Sequence, residues 1–214
     1  MAAAMIGFVT GLTAEARIAR RLGPVLAGGG TPEGAARAAR ALIGQGATSL
    51  VSFGLAGGLN PALPPGTMVI PAEVVFQSRR YGADADLTRR LGGPAHCLCA
   101  TAAAVVTARE KHALYLETGA DAVDLESGAV AEQARLAGVP FAALRVICDP
   151  ASATLPPAAL VALSGEGAIV LLRVAGDVVR QPSQLPALLR LGRDAGRARA
   201  ALLRHCAALK PLLA

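Results

Sequence analysis

The chain has 214 residues, a net charge of +6, 53% hydrophobic residues, 3% aromatic residues and no tryptophan. That length suits one domain, and the apolar content supplies a sizeable core built mainly from alanine, leucine and valine. The basic balance points towards anionic partners, yet two tyrosines and four phenylalanines offer few stacking platforms, which argues against general nucleic-acid binding.

No uncharged apolar run reaches the roughly 18 residues of a spanning helix. The first residues carry no basic side chain before their apolar run, and Gly7, Thr10 and Glu15 soon interrupt it. They read as a first strand rather than a signal peptide. Cys97, Cys99, Cys148 and Cys206 form no C-x-x-C pair. A reducing, cytoplasmic setting is expected. His96-Cys97-Leu98-Cys99 lacks the second pair that a zinc site needs, so ordinary thiols and no metal are expected.

In chain order, Ile6–Val9 reads as a short buried strand. Thr13 then precedes an expected helix over Ala14–Leu22, with Thr13 as N-cap and Glu15 in the first turn. Glu15 has two readings. It favours the helix dipole, or it points over the end of the first strand. Val25–Ala27 is a candidate strand closed by Gly28–Gly30. Thr31-Pro32-Glu33 opens a helix with proline at its first position, and an alanine-rich run carries it to Ile43.

Thr48–Phe53 reads as a strand ending in the glycine-rich stretch Gly54-Leu-Ala-Gly-Gly58. A dinucleotide fingerprint would feed straight into a helix, and Asn60-Pro61 with Pro64-Pro65 forbids that here. A P-loop would need Gly-Lys-Ser/Thr. The favoured reading is a wall of main chain that a flat ligand can approach closely. Gly66–Pro71 and Glu73–Phe76 form a strand pair or one bent strand. Residues 77–94, rich in Arg, Asp and Gly, read as a mobile exposed loop. An apolar stretch from Ala100 to Val106 and an amphipathic helix over Arg109–Glu117 follow.

The pattern then changes period. Ala122-Val123 is a short strand, and Ala129, Val130, Ala131, Ala134 and Leu136 recur at helical spacing. Asp124 and Glu126 sit at the changeover, with Ser127 available as a cap. Strand ends that deliver carboxylates into helix starts are where open α/β sheets place ligands. The alternative is that both acids only favour the helix dipole. Gly138-Val-Pro140 breaks this helix. Phe141–Ile147 is a nearly continuous apolar strand of the kind found inside parallel sheets, and Pro150 stops it with Asp149 at its tip. Beyond Pro156 the chain reads as helical, over Leu160–Val179 and Leu185–Leu209. From Arg173 onwards eight basic residues face Asp177 and Asp194. That is a solvated face, or a contact with anionic membrane.

Ile6–Val9 with Glu15, Gly54–Leu59, Pro65–Ile70, Ala122–Ala131 and Val139–Asp149 resemble, in family order, the purine and uridine phosphorylases. The branch they look most like is the methylthioadenosine/S-adenosylhomocysteine nucleosidase type. The Glu110–Ala120 segment and the apolar C-terminal helices look like the hopanoid-associated phosphorylase subgroup. The resemblance implies a single-domain, three-layer α/β/α fold with a central mixed sheet. Its core would span about residues 5–150 and a helical flank residues 156–209, one nucleoside phosphorylase-like domain over 1–214.

The resemblance also implies cleavage of an N-glycosidic bond through an oxocarbenium-like transition state. Asp149 matches the residue that assists departure of the purine, and Glu126 the one that binds the ribose hydroxyls. Glu15 matches the residue that activates water in the nucleosidases. Leu125 and the wall of Gly54, Ala56 and Gly57 would bracket the nucleoside, with Val105 and Val106 beside the base. Ser52 and Leu55 stand where phosphorylases of this family use an Arg and a Ser to hold phosphate. Phosphate as co-substrate would therefore need another anchor, Arg17, Arg79 or Arg80, and hydrolysis is favoured. Few aromatics are available to stack on the base, Phe76 or Tyr81 being the candidates. The implied substrate is a 5′-substituted adenosine, in the hopanoid subgroup adenosylhopane, with no cofactor. A homodimer or larger oligomer and a peripheral membrane contact complete the expectation.

Overall fold

The computed structural model describes residues 5–93, 96–101, 103–157, 159 and 182–213. Its nine-stranded mixed sheet comprises β1 (Ile6–Thr10), β2 (Val25–Ala27), β3 (Ser49–Gly58), β4 (Met68–Val69), β5 (Pro71–Phe76), β6 (Arg79–Gly82), β7 (His96–Ala100), β8 (Ala122–Asp124) and β9 (Phe141–Asp149). Between them run α1 (Thr13–Ala19), α2 (Pro32–Gly44), α3 (Ala85–Arg90), α4 (Ala108–Thr118) and α5 (Ser127–Ala137), and α6 (Leu185–Leu213) closes the chain. The path runs β2-β1-β3-β8-β7-β5-β6, with β9 paired to β3 and to β4.

Alternation along β3 and β9 builds two cores, one on each face of the sheet. Leu50, Ala56, Ala143 and Ile147 pack with Ala35, Ala39 and Leu42 of α2 and with Val130 and Ala134 of α5. Val51, Phe53, Leu144 and Val146 pack on the opposite face with Ile18 of α1, Leu87 of α3 and Ala198 and Leu202 of α6. The result is the three-layer α/β/α arrangement expected. Full burial of each such leucine, valine or isoleucine contributes about 1.5–3 kcal/mol. The small alanines of α2 and α5 let these helices lie close to the sheet. Where α5 begins, the Phe76 ring occupies the space that a Cβ on Gly128 would need.

Several local expectations change. The first helix starts at Thr13 with Leu12, not Thr13, in the cap position, and its end lies at Ala19. The glycine-rich stretch is no turn. β3 runs straight through it to Gly58, because β9 pairs alongside as far as Gly57 and β8 pairs antiparallel with Gly57 and Gly58. Residues 77–94 are not a bare loop. Gln77 and Ser78 take positive φ and turn β5 back into β6, and α3 follows with Leu87 buried. β4 and β5 are two consecutive strands with different partners, β4 on β9 and β5 between β6 and β7. Leu136 is 62% exposed, so α5 docks through Gly128, Ala129, Val130, Ala131 and Ala134 without it. α4 lacks the apolar stripe expected of it, and its buried side chain is Lys111. Phe76 and Tyr81 are core residues rather than platforms for a base. The helix expected over Leu160–Val179 lies outside the described residues. No helix among the described residues is long and apolar enough to cross a membrane.

Candidate active site

The site forms where β1, β3, β8 and β9 end and α1 and α5 begin. Glu15 reaches back from the first turn of α1. Its Oε2 accepts from the Leu12 N–H at 2.8 Å and its Oε1 from the Leu55 N–H at 2.8 Å. The carboxylate thus caps its own helix and grips β3 together, so both readings of its position hold at once. A Cβ on Gly54 would lie 2.6 Å from Glu15 Oε1. A Cβ on Gly11 would likewise overlap the Glu126 carboxylate. Both glycines are present because carboxylates occupy the space of their missing side chains.

Asp124 at the tip of β8 accepts from the Ser127 N–H at 3.2 Å and from its hydroxyl. Asp124 thus accepts from the first residue of α5, and Ser127, expected as the cap, is the donor in the first turn instead. Glu126 occupies the cap position itself but makes no side-chain cap bond. Its carboxylate turns instead to Arg145.

Arg145 of β9 is fully buried. It forms ion pairs with Asp124 and, at 3.2 Å, with Glu126. It also donates from Nη2 to Ser52 Oγ at 2.6 Å, from Nε to Ser127 Oγ at 3.3 Å and from Nη1 to the Leu55 carbonyl at 3.3 Å. The expected phosphate anchors lie elsewhere: Arg17 and Arg79 are exposed, and exposed Arg80 pairs with Glu73 across the β5–β6 hairpin. Sequence reasoning missed Arg145. Its one signal was a charged residue interrupting an otherwise apolar strand four positions before Asp149.

Three buried carboxylates share this one guanidinium, and the electrostatics follow. Burial raises the Glu15 pKa above its usual value, against the opposing pull of Arg145 and of the Leu12, Leu55 and Gly11 N–H groups. Burial also pushes Glu126 up to about 7; Arg145 lowers it, while Asp124 and Glu15 add to the rise. Burial disfavours the Arg145 charge, but Asp124, Glu126 and Glu15 outweigh it and raise its pKa. A carboxylate with a raised pKa is a better proton acceptor, and the cluster is short of positive charge.

Asp149, 4% exposed, ends β9 beside Gly57, its partner in register. Its Oδ2 receives the ammonium of Lys111, which also donates to the Pro150 carbonyl at 3.0 Å. The Cys148 thiol donates to Asp149 Oδ1 at 3.2 Å, and burial, then the neighbouring Asp149 charge, hold that thiol well above its ordinary pKa. Glu15 grips β3 at Leu55 and Asp149 lies over Gly57. These anchor points are two residues apart along the strand, about 7 Å, roughly the span between a sugar and the far edge of its base.

The remaining expected residues are arranged around these groups. Leu125, half-buried, sits between Asp124 and Glu126. Ala56 turns its methyl into the core, which leaves its main chain for any ligand. Val105 packs near Val123, and the Val106 carbonyl accepts from the Leu155 N–H at 2.8 Å, tying the loop before α4 to the loop after Asp149. A cleft of about 340 Å³ opens from Asp149 between residues 150–156 and Arg190, Leu191 and Asp194 of α6. His96 pairs with Asp121 at 2.9 Å rather than with the cysteines, and no metal-holding cluster occurs among the described residues.

A family model described as the phosphorylase superfamily matches residues 8–107 and 88–175. No curated protein matches the chain. Among solved structures, it is similar to the futalosine hydrolase of Helicobacter pylori strain 26695 at 16% identity and TM-score 0.66, covering 95% of this chain and 97% of that one. It is similar to the S-adenosylhomocysteine nucleosidase of Streptococcus pyogenes, in complex with 5-methylthiotubericidin, at 15% identity and TM-score 0.65, covering 91% and 98%. It is also similar to a 5′-methylthioadenosine/S-adenosylhomocysteine nucleosidase from Colwellia psychrerythraea 34H, in complex with adenine, at 14% identity and TM-score 0.64, covering 94% and 95%.

Proposed function

This chain belongs to the phosphorylase superfamily, and on that premise we propose that it hydrolyses the N-glycosidic bond of a 5′-substituted adenosine, with water rather than phosphate as the nucleophile. The observation that carries the choice of nucleophile is Arg145. It faces Asp124, Glu126 and Glu15, and its nitrogens already donate to protein oxygens. Phosphate brought there would meet three acids and one committed cation. Leu55, at the expected position of a phosphate-binding hydroxyl, offers an apolar side chain, and its main-chain N–H and carbonyl are engaged by Glu15 and Arg145.

In this reading Asp149 assists the departing adenine at its ring nitrogen. The electron pair of the glycosidic bond moves onto the base, and the ribosyl group develops positive charge. Glu126 binds the ribose hydroxyls and, with the negative excess around it, stabilises that charge. Glu15 takes the proton of the attacking water, a task suited to its raised pKa. The division between an acid for the leaving group and a base for water follows the logic of glycoside hydrolysis.

Two readings of the 5′-group differ in test. The likeness to nucleosidases of small soluble substrates favours methylthioadenosine or adenosylhomocysteine. The resemblance of Glu110–Ala120 to the hopanoid-associated subgroup favours adenosylhopane, a lipid-linked adenosine. The exposed Leu185 and Leu189 of α6, followed by exposed Arg190 and Arg193, would suit work against an anionic membrane surface. Rapid adenine release from methylthioadenosine supports the first reading. Release that is slow there and fast from a 5′-alkyl adenosine in anionic vesicles supports the second. No adenine from either substrate overturns the proposal.

A further inference from the structure

α4 is the odd helix of this fold. The other described helices dock mainly through alanine, leucine, isoleucine or valine, whereas in α4 Leu114 and Tyr115 are only half-buried and the buried residue is a lysine. Lys111 is 0% exposed, and its ammonium lies between Asp149 Oδ2 and the Pro150 carbonyl. A buried charge is tolerated only when paired, and removing one partner of such a pair is strongly destabilising. Pairing alone would be satisfied anywhere in the core. Here the partner is the residue assigned to the leaving base, and α4 is fastened to that same end of the cleft. The Ala108 N–H donates to Thr154 Oγ1 at 3.2 Å, and Leu155 N–H to the Val106 carbonyl at 2.8 Å.

We propose that Lys111 is the positioning and proton-supplying partner of Asp149, an inference that rests on the reading of Asp149 given above. The chemistry requires such a partner. Asp149 Oδ2 accepts from the Lys111 ammonium, so a proton that Asp149 passes to a base has its donor at hand. In the relay, one Lys111 N–H proton passes to Asp149 Oδ2, and the carboxyl group so formed passes that proton on to the purine ring nitrogen. The glycosidic bond breaks with its electron pair going to the base. Lys111 is left as a neutral amine, Asp149 remains a carboxylate and adenine leaves neutral. Glu15 takes a proton from the water that closes the ribosyl cation. Solvent then returns a proton to Lys111 and removes one from Glu15, so the cycle balances without a cofactor.

The test compares two leaving groups in the full chain. 5′-Methylthioadenosine needs its base protonated to leave, whereas p-nitrophenyl β-D-ribofuranoside releases a stable phenolate without an acid. Lys111→Met is expected to lower kcat for adenine release by about 10²-fold, the lower range for loss of a general acid. KM should move little, and p-nitrophenol release should fall far less. Lys111→Arg, which keeps the charge but does not give up its proton, is expected to recover only the part of the adenine reaction that comes from positioning Asp149. Should K111M fail to fold, D149N and K111M/D149N carry the same question, because Lys111 acting through Asp149 adds no further loss of adenine release once Asp149 is gone.

A wild type that releases no adenine overturns the reading of the whole site and this proposal with it. A wild type that releases adenine, with K111M matching it, overturns this proposal alone. So does an equal loss on both leaving groups without rescue by Arg, which would make Lys111 a structural counter-ion only.

Discussion

At one end of the site a single guanidinium, Arg145, faces Asp124, Glu126 and Glu15; at the other, one ammonium, Lys111, faces Asp149. The first cluster carries an excess of acid and the second is balanced. Burial raises the pKa of Glu15, and burial first, then the neighbouring Asp124 and Glu15, push Glu126 up to about 7. A cluster short of positive charge is suited to receive one, and in the proposed reaction a ribosyl oxocarbenium ion would supply it. A balanced pair is suited to move a proton without changing its surroundings. The same means, buried charge on strand tips, serves two chemical ends, and the count of partners sets which.

The contrast predicts unequal costs when each cation is lost. Arg145→Met leaves three buried acids without a counter-charge and should destabilise by about 3–5 kcal/mol or more. K111M leaves one acid and should cost less. Urea unfolding of the two variants measures this directly, and equal losses would erase the distinction. Asp149→Asn and Glu15→Gln attack the two ends as chemistry. Each is expected to lower turnover of 5′-methylthioadenosine by about 10²–10⁴-fold, the usual range for an acid or base. A loss confined to one of them would show that only one end participates.

Gly11→Ala tests how the crowded end is seated. Its methyl would displace the Glu126 carboxylate, so KM for the nucleoside should rise by about tenfold or more, as expected for loss of a charged hydrogen-bonding group of about 1.5–3 kcal/mol. An unchanged KM would remove Glu126 from the ribose site.

The pH dependence of stability should also come from the crowded end. In the fold Glu126 keeps its proton up to about pH 7, whereas its ordinary value is 4.5. Between those values the folded state holds more protons than the unfolded one, so stability falls as pH rises from about 4.5 to about 7. Glu126→Gln should flatten that slope. Denaturation midpoints at either end of the window, for wild type and variant, check it. The smallest effect is expected from Leu55→Ser, which supplies a hydroxyl but no cation: adenine release should gain no more than about tenfold from added phosphate, since one neutral hydrogen bond contributes only about 0.5–1.5 kcal/mol.

Much of the sheet was legible because its strands are buried on both faces and its helices carry alanine and leucine at helical spacing. Thr31-Pro32 announced α2, and the change of period after Asp124 announced α5. Glu15, Glu126 and Asp149 were also legible, as acids at strand ends. The strand was expected to stop at Phe53, because glycine ordinarily weakens strands. Here side chains from elsewhere take up the room at Gly54, so the strand continues. The short β6 and α3 were hidden by charged, glycine-interrupted sequence whose exposed faces outnumber the buried Tyr81 and Leu87. Lys111 carried no local signal at all. Its burial follows from an acid 38 residues away, and only the folded chain brings the two together. Arg145 left a trace, one charge in an apolar strand, but its partners come from β3, β8 and the start of α5.

The most direct test of the account is the fate of the anomeric carbon. 5′-Methylthioadenosine is incubated with the enzyme in ¹⁸O-labelled water containing phosphate, and the sugar product is weighed by mass spectrometry. The account predicts free methylthioribose carrying one labelled oxygen, in the same yield whether or not phosphate is present. A ribosyl 1-phosphate without label, formed only when phosphate is added, would contradict it and would require Arg145 to release its carboxylates to hold the anion.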